Sequence, residues 1–166
     1  MKATETKLKG VFVLEPQVFG DARGWFMESW SRRKMEAAGI AVDFVQDNQS
    51  YSAQKGTLCG LHYQLDPMSQ AKLLRATRGT IFDVAVDIRK GSPTFGQHVA
   101  VELTQDNHRQ FFIPRGFAHG FSVLSDVAVF QYKCDNYYCP ESEGAIAWND
   151  PALGIDWRIP ADKVIL

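Results

Sequence analysis

The chain has 166 residues, of which 45% are hydrophobic and 22% charged, and a formal net charge of -1. The length suits one domain with a sizeable core, and the composition excludes a disordered or fibrous protein. Lys and Arg total 18 against 19 for Asp and Glu, which argues against binding a nucleic-acid backbone. We expect residues 1–166 to form a single domain.

The N-terminus and the cysteines favour a reduced, cytoplasmic protein. The opening residues, MKATETKLKG, are charged and lack the apolar stretch of a signal peptide. No run approaches the roughly 18 apolar residues of a membrane span. Cys59, Cys134 and Cys139 are an odd and sparse set for a disulfide framework, and their C-x4-C pair has no second pair to complete a zinc site.

In chain order, the predicted elements are one strand, one helix and then a series of short strands separated by turn residues. The first strand is Val11–Pro16. The helix follows Ser31, which can cap it, and stops at Gly39. The later strands are Leu58–Gln64, Lys72–Arg78, Ile81–Ile88, His98–Leu103, Arg109–Ile113, Gly120–Val123, Ala128–Cys134 and Ala145–Trp148. This pattern indicates an all-β fold, and we expect a jelly-roll barrel that can hold a small ligand.

Ile81–Ile88 has the clearest strand pattern. Apolar residues alternate with Asp83, Ala85 and Asp87, which is typical of a half-buried strand. We therefore expect both aspartates to point away from the face that carries Phe82.

Among the four histidines, His62 has a context that is compatible with catalysis. Strand alternation puts His62 and Gln64 on one face, opposite Leu61 and Tyr63, and in a barrel that face can be the lumen. A histidine there is either a structural residue or a general base. We expect the other two histidines that lie in polar or turn contexts, His98 and His108, to be surface residues.

His119 ends the stretch Pro114-Arg115-Gly116-Phe117-Ala118-His119, whose pattern P-x-G-x-x-H resembles the second motif of the cupin superfamily of jelly-roll barrels. In metal-binding cupins this histidine joins a His-x-His pair and a glutamate. Here the earlier motif offers only His62, so the expected pocket holds no metal. A metal-dependent cupin oxygenase, with His62 and His119 as ligands, is the less favoured alternative.

Two further polar residues lie on predicted strands. Tyr132 alternates with Phe130 and Cys134, and it is either a core tyrosine or a proton donor inside the barrel. Lys72 begins another strand, where most lysines are solvated.

An ordered series of motifs extends over nearly the whole chain. The blocks are Glu15-Pro16, Phe19-Gly20-Asp21, Arg23-Gly24, Phe44-Val45-Gln46-Asp47-Asn48, Gly60-Leu61-His62-Tyr63-Gln64, Gln70-Ala71-Lys72-Leu73, Phe82 to Arg89, Ser92 to Gly96, Ile113 to Phe121, Tyr137-Tyr138 and Trp148-Asn149-Asp150. Together they resemble the dTDP-4-dehydrorhamnose 3,5-epimerase family of nucleotide-sugar epimerases, within the cupin superfamily. The series is specific because the blocks occur in order.

The resemblance implies a reaction at carbon. The C4 ketone of the family's substrate acidifies the C–H bonds at C3 and C5, and inversion needs a base and an acid on opposite faces of the sugar. By position, His62 matches the base, Tyr132 the proton donor and Lys72 a lysine that stabilises the enolate. No cofactor is implied, and the chain has no G-x-G-x-x-G loop.

The resemblance also implies a binding site for a nucleotide sugar. The residues it assigns to substrate binding are Arg23, Glu28, Gln46, Asp47, Asn48, His119 and Glu143. Arg23 suits a diphosphate oxygen, and Tyr138 matches an aromatic residue that stacks on thymine. Because relatives borrow site residues from a neighbouring subunit's N-terminal strands, a homodimer is implied. Asp83 could orient either His62 or His119.

The chain departs from the family pattern at Cys59, where the family usually has an arginine that contacts the substrate. In relatives, an aspartate in a segment beyond the position of Leu166 partners the catalytic histidine. These departures leave open a nucleotide-sugar-binding relative with little turnover. Inversion at C3 alone is a second alternative, because relatives with the same base and acid do that.

Overall fold

The computed structural model describes residues 1–166, and short strands form most of its regular structure. The strands are β1 (Lys2–Glu5), β2 (Phe12–Glu15), β3 (Val18–Asp21), β4 (Gly24–Met27), β5 (Gln46–Ser52), β6 (Leu58–Gln64), β7 (Lys72–Arg78), β8 (Thr80–Asp87), β9 (His98–Thr104), β10 (Gln110–Ile113), β11 (Phe117–Val123), β12 (Ala128–Cys134) and β13 (Glu143–Ala145). The one α-helix, α1, spans Arg32–Ala37, and 3₁₀ turns span Pro140–Ser142 and Ala161–Lys163. None of these helical segments is long and apolar enough to cross a membrane.

The strands form two antiparallel sheets that face each other. The six-stranded sheet has the order β1-β2-β10-β7-β12-β5, and the five-stranded sheet has the order β13-β6-β11-β8-β9. β3 and β4 form a separate hairpin. Because side chains alternate along each strand, both sheets present one face to the space between them. The predicted jelly-roll barrel is confirmed.

The largest core fills the space between the sheets. It contains aromatic side chains from both of them, including Phe111 on β10, Phe121 on β11 and Phe130 on β12. Its aliphatic members come mainly from β7, β8 and β9. Burial of this shared layer stabilises the association of the two sheets, at about 25 cal/mol per Å² of apolar area removed from water.

A second core covers the outer face of the five-stranded sheet. Phe82, Val84 and Val86 of β8 pack there with Leu61 of β6 and with Trp157 from the C-terminal segment. The prediction that this strand is half-buried is therefore wrong, because the C-terminal segment covers the face that would otherwise meet water. The side chains of Asp83 and Asp87 point to the face of β8 opposite Phe82, as expected, but they too are fully buried.

The outer face of the six-stranded sheet carries a smaller core. Met35 of α1 and Ile40 pack there on Leu14, Leu73 and Phe112. Gly39 follows the helix with a φ of 86°, a left-handed conformation that suits the predicted stop. Ser31 precedes the helix, but its side chain makes no capping hydrogen bond.

The predicted bounds of three strands with alternating apolar residues match those in the structure. Leu58–Gln64, Lys72–Arg78 and Ala128–Cys134 have the predicted bounds. The strand predicted at Ala145–Trp148 is wrong, because β13 ends at Ala145. Four strands, β1, β3, β4 and β5, were not predicted.

We expect Leu61→Ala to lower the free energy of unfolding by about 2–5 kcal/mol, because it opens a cavity in the second core. Leu61 is fully buried, whereas Leu65 is 60% exposed. Leu65→Ala is the matched control and should change the free energy by less than about 0.5 kcal/mol. Urea unfolding at a fixed protein concentration measures both, and equal losses would contradict the assignment of Leu61 to the core.

Candidate active site

A cavity of about 280 Å³ opens between the two sheets. It is lined by side chains of both sheets, so it lies inside the barrel. The residues it brings together from the sequence analysis are Asn48, His62, Lys72, His119, Tyr132, Tyr138 and Glu143. Its floor is apolar, because Phe121 and Phe130 of the main core also line it.

An extra residue in β6 points two side chains into this cavity. Opposite β11, His62 pairs with His119 and Cys59 pairs with Phe121, so three steps on β6 match two on β11. This bulge breaks the alternation, and both Cys59 and His62 line the cavity although they are three residues apart. Gly60 lies at the bulge with a φ of 129°, which favours glycine.

His62 has one buried ring nitrogen and one that remains for a ligand. Its Nδ1 is buried without a hydrogen-bond partner, and the nearest carboxylate oxygen, Oε1 of Glu143, lies 3.7 Å away. The side chain as a whole is 43% exposed. Burial lowers the pKa of His62, the Glu143 charge raises it, and Lys72 and His119 lower it. The imidazole is thus favoured in its neutral form, which is the form that accepts a proton.

His119 is held by a buried carboxylate. Its Nε2 lies 3.0 Å and 3.1 Å from the two oxygens of Asp83, which is completely buried. Burial raises the pKa of Asp83, and the charge and hydrogen bond of His119 oppose this shift. Asp83 therefore orients His119 rather than His62, which settles the alternative that the sequence left open.

Tyr132 and Lys72 face His62 from the other sheet. They lie on neighbouring strands β12 and β7, and the Nζ atom of Lys72 is 5.6 Å from the centre of the Tyr132 ring. Burial raises the pKa of the Tyr132 phenol and lowers the pKa of the Lys72 ammonium. The phenol therefore stays protonated over a wide pH range, as a proton donor requires.

The rim of the cavity carries an aromatic ring and a carboxylate. Tyr138 is 56% exposed, and its hydroxyl donates a hydrogen bond to Oε2 of Glu143 at 3.0 Å. Gln46 does not line the cavity, but its Oε1 accepts the backbone N–H of Tyr138 at 3.2 Å. An exposed ring fixed in this way can stack on a planar ligand.

Three residues from the sequence analysis lie elsewhere in the chain. Arg23 is on the β3–β4 hairpin, where it forms an exposed ion pair with Asp21 at 2.7 Å. Glu28 pairs with Lys34 at 2.8 Å. Asp47 has the opposite orientation to its neighbours on β5 and contacts Lys133. None of the three lines the cavity of its own chain.

His98 and His108, expected at the surface, are each partly buried. They lie outside the cavity, and the His108 ring centre is 4.4 Å from that of Trp25. Neither takes part in the site.

The cavity also contains residues that the sequence analysis did not select. These are Ser50, Gln64, Gln70, Ile113, Phe117, Phe121 and Phe130, together with Tyr63 and Gly116. For Ser50 the signal was strand alternation, because it lies two residues after Asn48 on β5. Its hydroxyl is buried without a hydrogen-bond partner.

The side chains form no group of three or more His, Cys, Asp or Glu residues that could hold a metal ion. His62 and His119 lie opposite each other across the β6–β11 pair, and the carboxylate nearest His119 is already bonded to it.

The arrangement can move protons at a carbon atom. A neutral imidazole on one wall, a protonated phenol on the facing wall and an ammonium beside the phenol are the groups that an epimerisation through an enolate needs. The jelly-roll fold and this site define an isomerase of the cupin type.

Comparison with known proteins agrees with this class. The family model for dTDP-4-dehydrorhamnose 3,5-epimerase matches residues 5–166. The epimerase of Pseudomonas aeruginosa is 56% identical over 160 residues, which are 96% of this chain and 87% of that protein. The chain therefore belongs to the dTDP-4-dehydrorhamnose 3,5-epimerase family.

Solved structures give the same result. The dTDP-4-dehydrorhamnose 3,5-epimerase of Elizabethkingia anophelis has a TM-score of 0.94 at 50% identity, covering 99% of this chain and 90% of that one. The dTDP-6-deoxy-D-glucose-3,5-epimerase of Legionella pneumophila, solved with dTDP-4-keto-L-rhamnose, has a TM-score of 0.92 at 52% identity, covering 96% and 85%.

Two substitutions should move the pKa of His62 in opposite directions. Glu143→Gln is expected to lower it, because a carboxylate that favours the imidazolium is lost, and Lys72→Gln to raise it, because a cation that disfavours the imidazolium is lost. A base must be neutral, so the acid limb of activity should shift to lower pH in the first variant and to higher pH in the second.

An NMR titration of the His62 ring measures both shifts. Glu141→Gln is the control, since it removes a nearby carboxylate that does not act on His62. Shifts of the same sign in the two test variants would contradict the electrostatic description of the site.

Proposed function

We propose that the chain epimerises dTDP-4-dehydro-6-deoxy-D-glucose at C3 and C5, giving dTDP-4-dehydro-L-rhamnose for deoxysugar and L-rhamnose biosynthesis. The observation that carries this proposal is the position of His62 and Tyr132 on facing walls of one cavity. Membership of the epimerase family supports the choice of substrate. We further propose that residues 1–166 act as one catalytic domain in the cytoplasm.

In this mechanism His62 is the base. Its Nδ1 is buried next to Glu143, so Nε2 is the nitrogen that takes the proton from C3 or C5. As the C–H bond breaks, its electron pair forms the enolate double bond and the charge moves to the C4 oxygen. Lys72 stabilises that oxygen as a fixed cation in a partly water-excluded site.

Tyr132 completes each inversion from the opposite wall. The enolate electron pair takes the phenol proton, the new C–H bond forms on the other face, and the C4 carbonyl is restored. A positioned acid or base contributes about 10²–10⁴-fold to a rate. The C4 ketone already acidifies the C–H bonds at C3 and C5, so this sequence of deprotonation and reprotonation needs no redox cofactor.

The nucleotide would bind at the rim. The exposed ring of Tyr138 can stack on thymine, and its bond to Glu143 fixes the ring beside the sugar-binding cavity. Asn48 and His119 supply further polar atoms in the cavity. Cys59 offers no charge at the position where relatives have an arginine, so we expect weaker binding there, by about tenfold to a hundredfold.

We also propose a homodimer in which the hairpin β3–β4 of one chain completes the cavity of the other. Phe19, Trp25 and Phe26 are exposed on this hairpin, and such an apolar patch is typical of an interface. Arg23 and Glu28 lie on or next to it and do not reach the cavity of their own chain. In the dimer, Arg23 would bind the diphosphate of the nucleotide sugar bound by the partner.

Proton NMR of the nucleotide sugar in heavy water tests the reaction. The wild-type chain should exchange the C3 and C5 hydrogens, and His62→Gln should reduce this exchange by about 10²-fold or more. His98→Gln is the matched control, since His98 lies outside the cavity, and it should retain full activity.

The positions that exchange distinguish the alternatives. Exchange at C3 alone would replace the proposal with a 3-epimerase. Binding of the nucleotide sugar without any exchange would identify a relative with little turnover. Equal loss in the two histidine variants would contradict the role of His62.

Mixing two inactive variants tests the shared site. Chains with His62→Gln and chains with Arg23→Ala should regain activity when refolded together, because one cavity of the mixed dimer then has His62 from one chain and Arg23 from the other. A mixture of His62→Gln and Tyr132→Phe should stay inactive, because both residues line the cavity of the same chain. No recovery in the first mixture would contradict the completion of the cavity by the hairpin.

A further inference from the structure

One serine hydroxyl in the cavity has no partner in the protein. Ser50 lies on β5, and its side chain lines the cavity. Its Oγ atom is buried and makes no hydrogen bond. The buried serine on β11 differs, because Ser122 donates its hydroxyl to the carbonyl oxygen of Trp157 at 2.8 Å. Buried polar groups are nearly always paired, so an unpaired one that faces a cavity indicates a partner supplied by a ligand.

The neighbouring strands do not supply that partner. In the six-stranded sheet, Ser50 lies opposite Phe130 on β12, and Phe130 lies opposite Ala76 on β7. Both of these side chains are apolar members of the main core. A serine hydroxyl has one proton to donate and two lone pairs to accept. The whole of this capacity is therefore available to a molecule inside the cavity.

The wall formed by the six-stranded sheet changes from apolar to polar across its width. In the strand order β10, β7, β12 and β5, the side chains that line the cavity include Ile113, Lys72, Tyr132 and finally Asn48 with Ser50. A 4-dehydro-6-deoxy sugar has a similar asymmetry about its C4 oxygen, with hydroxyls on the C2–C3 side and a methyl group on the C5 side. With the C4 oxygen at Lys72, the apolar end of the wall suits the methyl group and the polar end suits the hydroxyls.

We propose that Ser50 is a substrate-binding residue whose hydroxyl bonds the hydroxyl on C2 or C3 of the sugar and so sets the direction in which the sugar lies across the cavity. This inference rests on the proposed function for the identity of the sugar. A ring hydroxyl both donates and accepts, so it can pair with Ser50 in either role. A sugar turned the other way would place its methyl group beside Ser50 and a hydroxyl beside Ile113, which leaves both polar groups unpaired.

Calorimetry with dTDP-6-deoxy-D-glucose on Ser50→Ala tests the proposal. This nucleotide sugar has a hydroxyl instead of a ketone at C4, so its C3 and C5 hydrogens are not acidified and it binds without reaction. We expect its Kd to rise by about tenfold, because one hydrogen bond to the sugar is lost. The Kd of dTDP, which lacks the sugar, should not change. Ser52→Ala is the matched control, since it is the same change on the same strand outside the cavity, and it should leave both Kd values unchanged.

The 2-deoxy and 3-deoxy forms of the same nucleotide sugar identify the hydroxyl that Ser50 bonds. Wild type should bind the form that lacks this hydroxyl about tenfold more weakly than the parent, whereas Ser50→Ala should bind the two equally. For the other form, Ser50→Ala should still raise the Kd as it does for the parent. Losses that add for both forms would overturn the proposal, because Ser50 and the sugar hydroxyls would then act independently.

Thermal unfolding of the ligand-free variant separates a binding role from a structural one. An unpaired buried hydroxyl does not stabilise the fold, so Ser50→Ala should have a Tm equal to or above that of wild type. A lower Tm with unchanged Kd values would assign the hydroxyl to the fold and overturn the proposal.

The two proposals fail in different measurements. Absence of C3 and C5 exchange in the wild-type chain contradicts the proposed reaction, whereas the Kd values of Ser50→Ala do not depend on turnover. A wild-type chain that binds dTDP-6-deoxy-D-glucose no more tightly than dTDP would overturn the sugar contact of Ser50 even if exchange is observed.

Discussion

The site depends on the register of β11 between β6 and β8. All seven residues of β11 are buried, and the strand pairs with β8 along its whole length and with β6 between His119 and Ser122. A slip of one residue would turn His119 away from the cavity and from Asp83. Gly60 and Gly120 help to fix this register. A Cβ atom on Gly60 would lie 2.5 Å from the Cα of Gly120. The backbones of β6 and β11 can therefore pair this closely only with glycine at position 60.

The apolar floor of the cavity shifts the pKa values of the titratable side chains on its walls. Phe130 packs against Phe121 on one side and Tyr132 on the other, with ring centres 4.7 Å and 5.2 Å apart. These rings fill the barrel below the cavity and exclude water from the groups above them. Burial is the largest cause of the pKa shifts of His62 and Tyr132, and in both cases it favours the neutral form. Burial also lowers the pKa of Lys72, but the charges of Asp83 and Glu143 oppose this shift and favour the ammonium. The fold thus supplies a neutral base and a neutral acid at the same pH.

The sequence predicted strands of the barrel that have an apolar face, and it missed β5, where neither face is apolar. The pattern of β5, QDNQSYS, has no apolar side, because its inner residues line the cavity and its outer residues lie on a polar surface. The bulge in β6 was not predicted: regular alternation puts Cys59 and His62 on opposite faces, whereas the extra residue turns both toward the cavity. The partner of Asp83 depended on strand register, which sequence alone does not give. Arg23 and Glu28 lie on or next to the β3–β4 hairpin, whose aromatic residues are exposed, and no sequence signal indicated that they lie away from the cavity of their own chain.

Inversion of two carbons requires the acid and the base to be reset between the two inversions, which a single inversion does not. In the proposed mechanism, His62 carries an added proton and Tyr132 lacks one after the first inversion, so both must exchange protons with solvent before the second inversion. The His62 side chain is 43% exposed and that of Glu143 beside it 38%, which gives the added proton a path to water. Tyr132 is only partly buried, so its oxygen can regain a proton from solvent. A fully closed cavity would strengthen the interactions between its charged groups, but His62 and Tyr132 could then not exchange protons with solvent after the first inversion. The partly open barrel therefore suits a reaction at both C3 and C5.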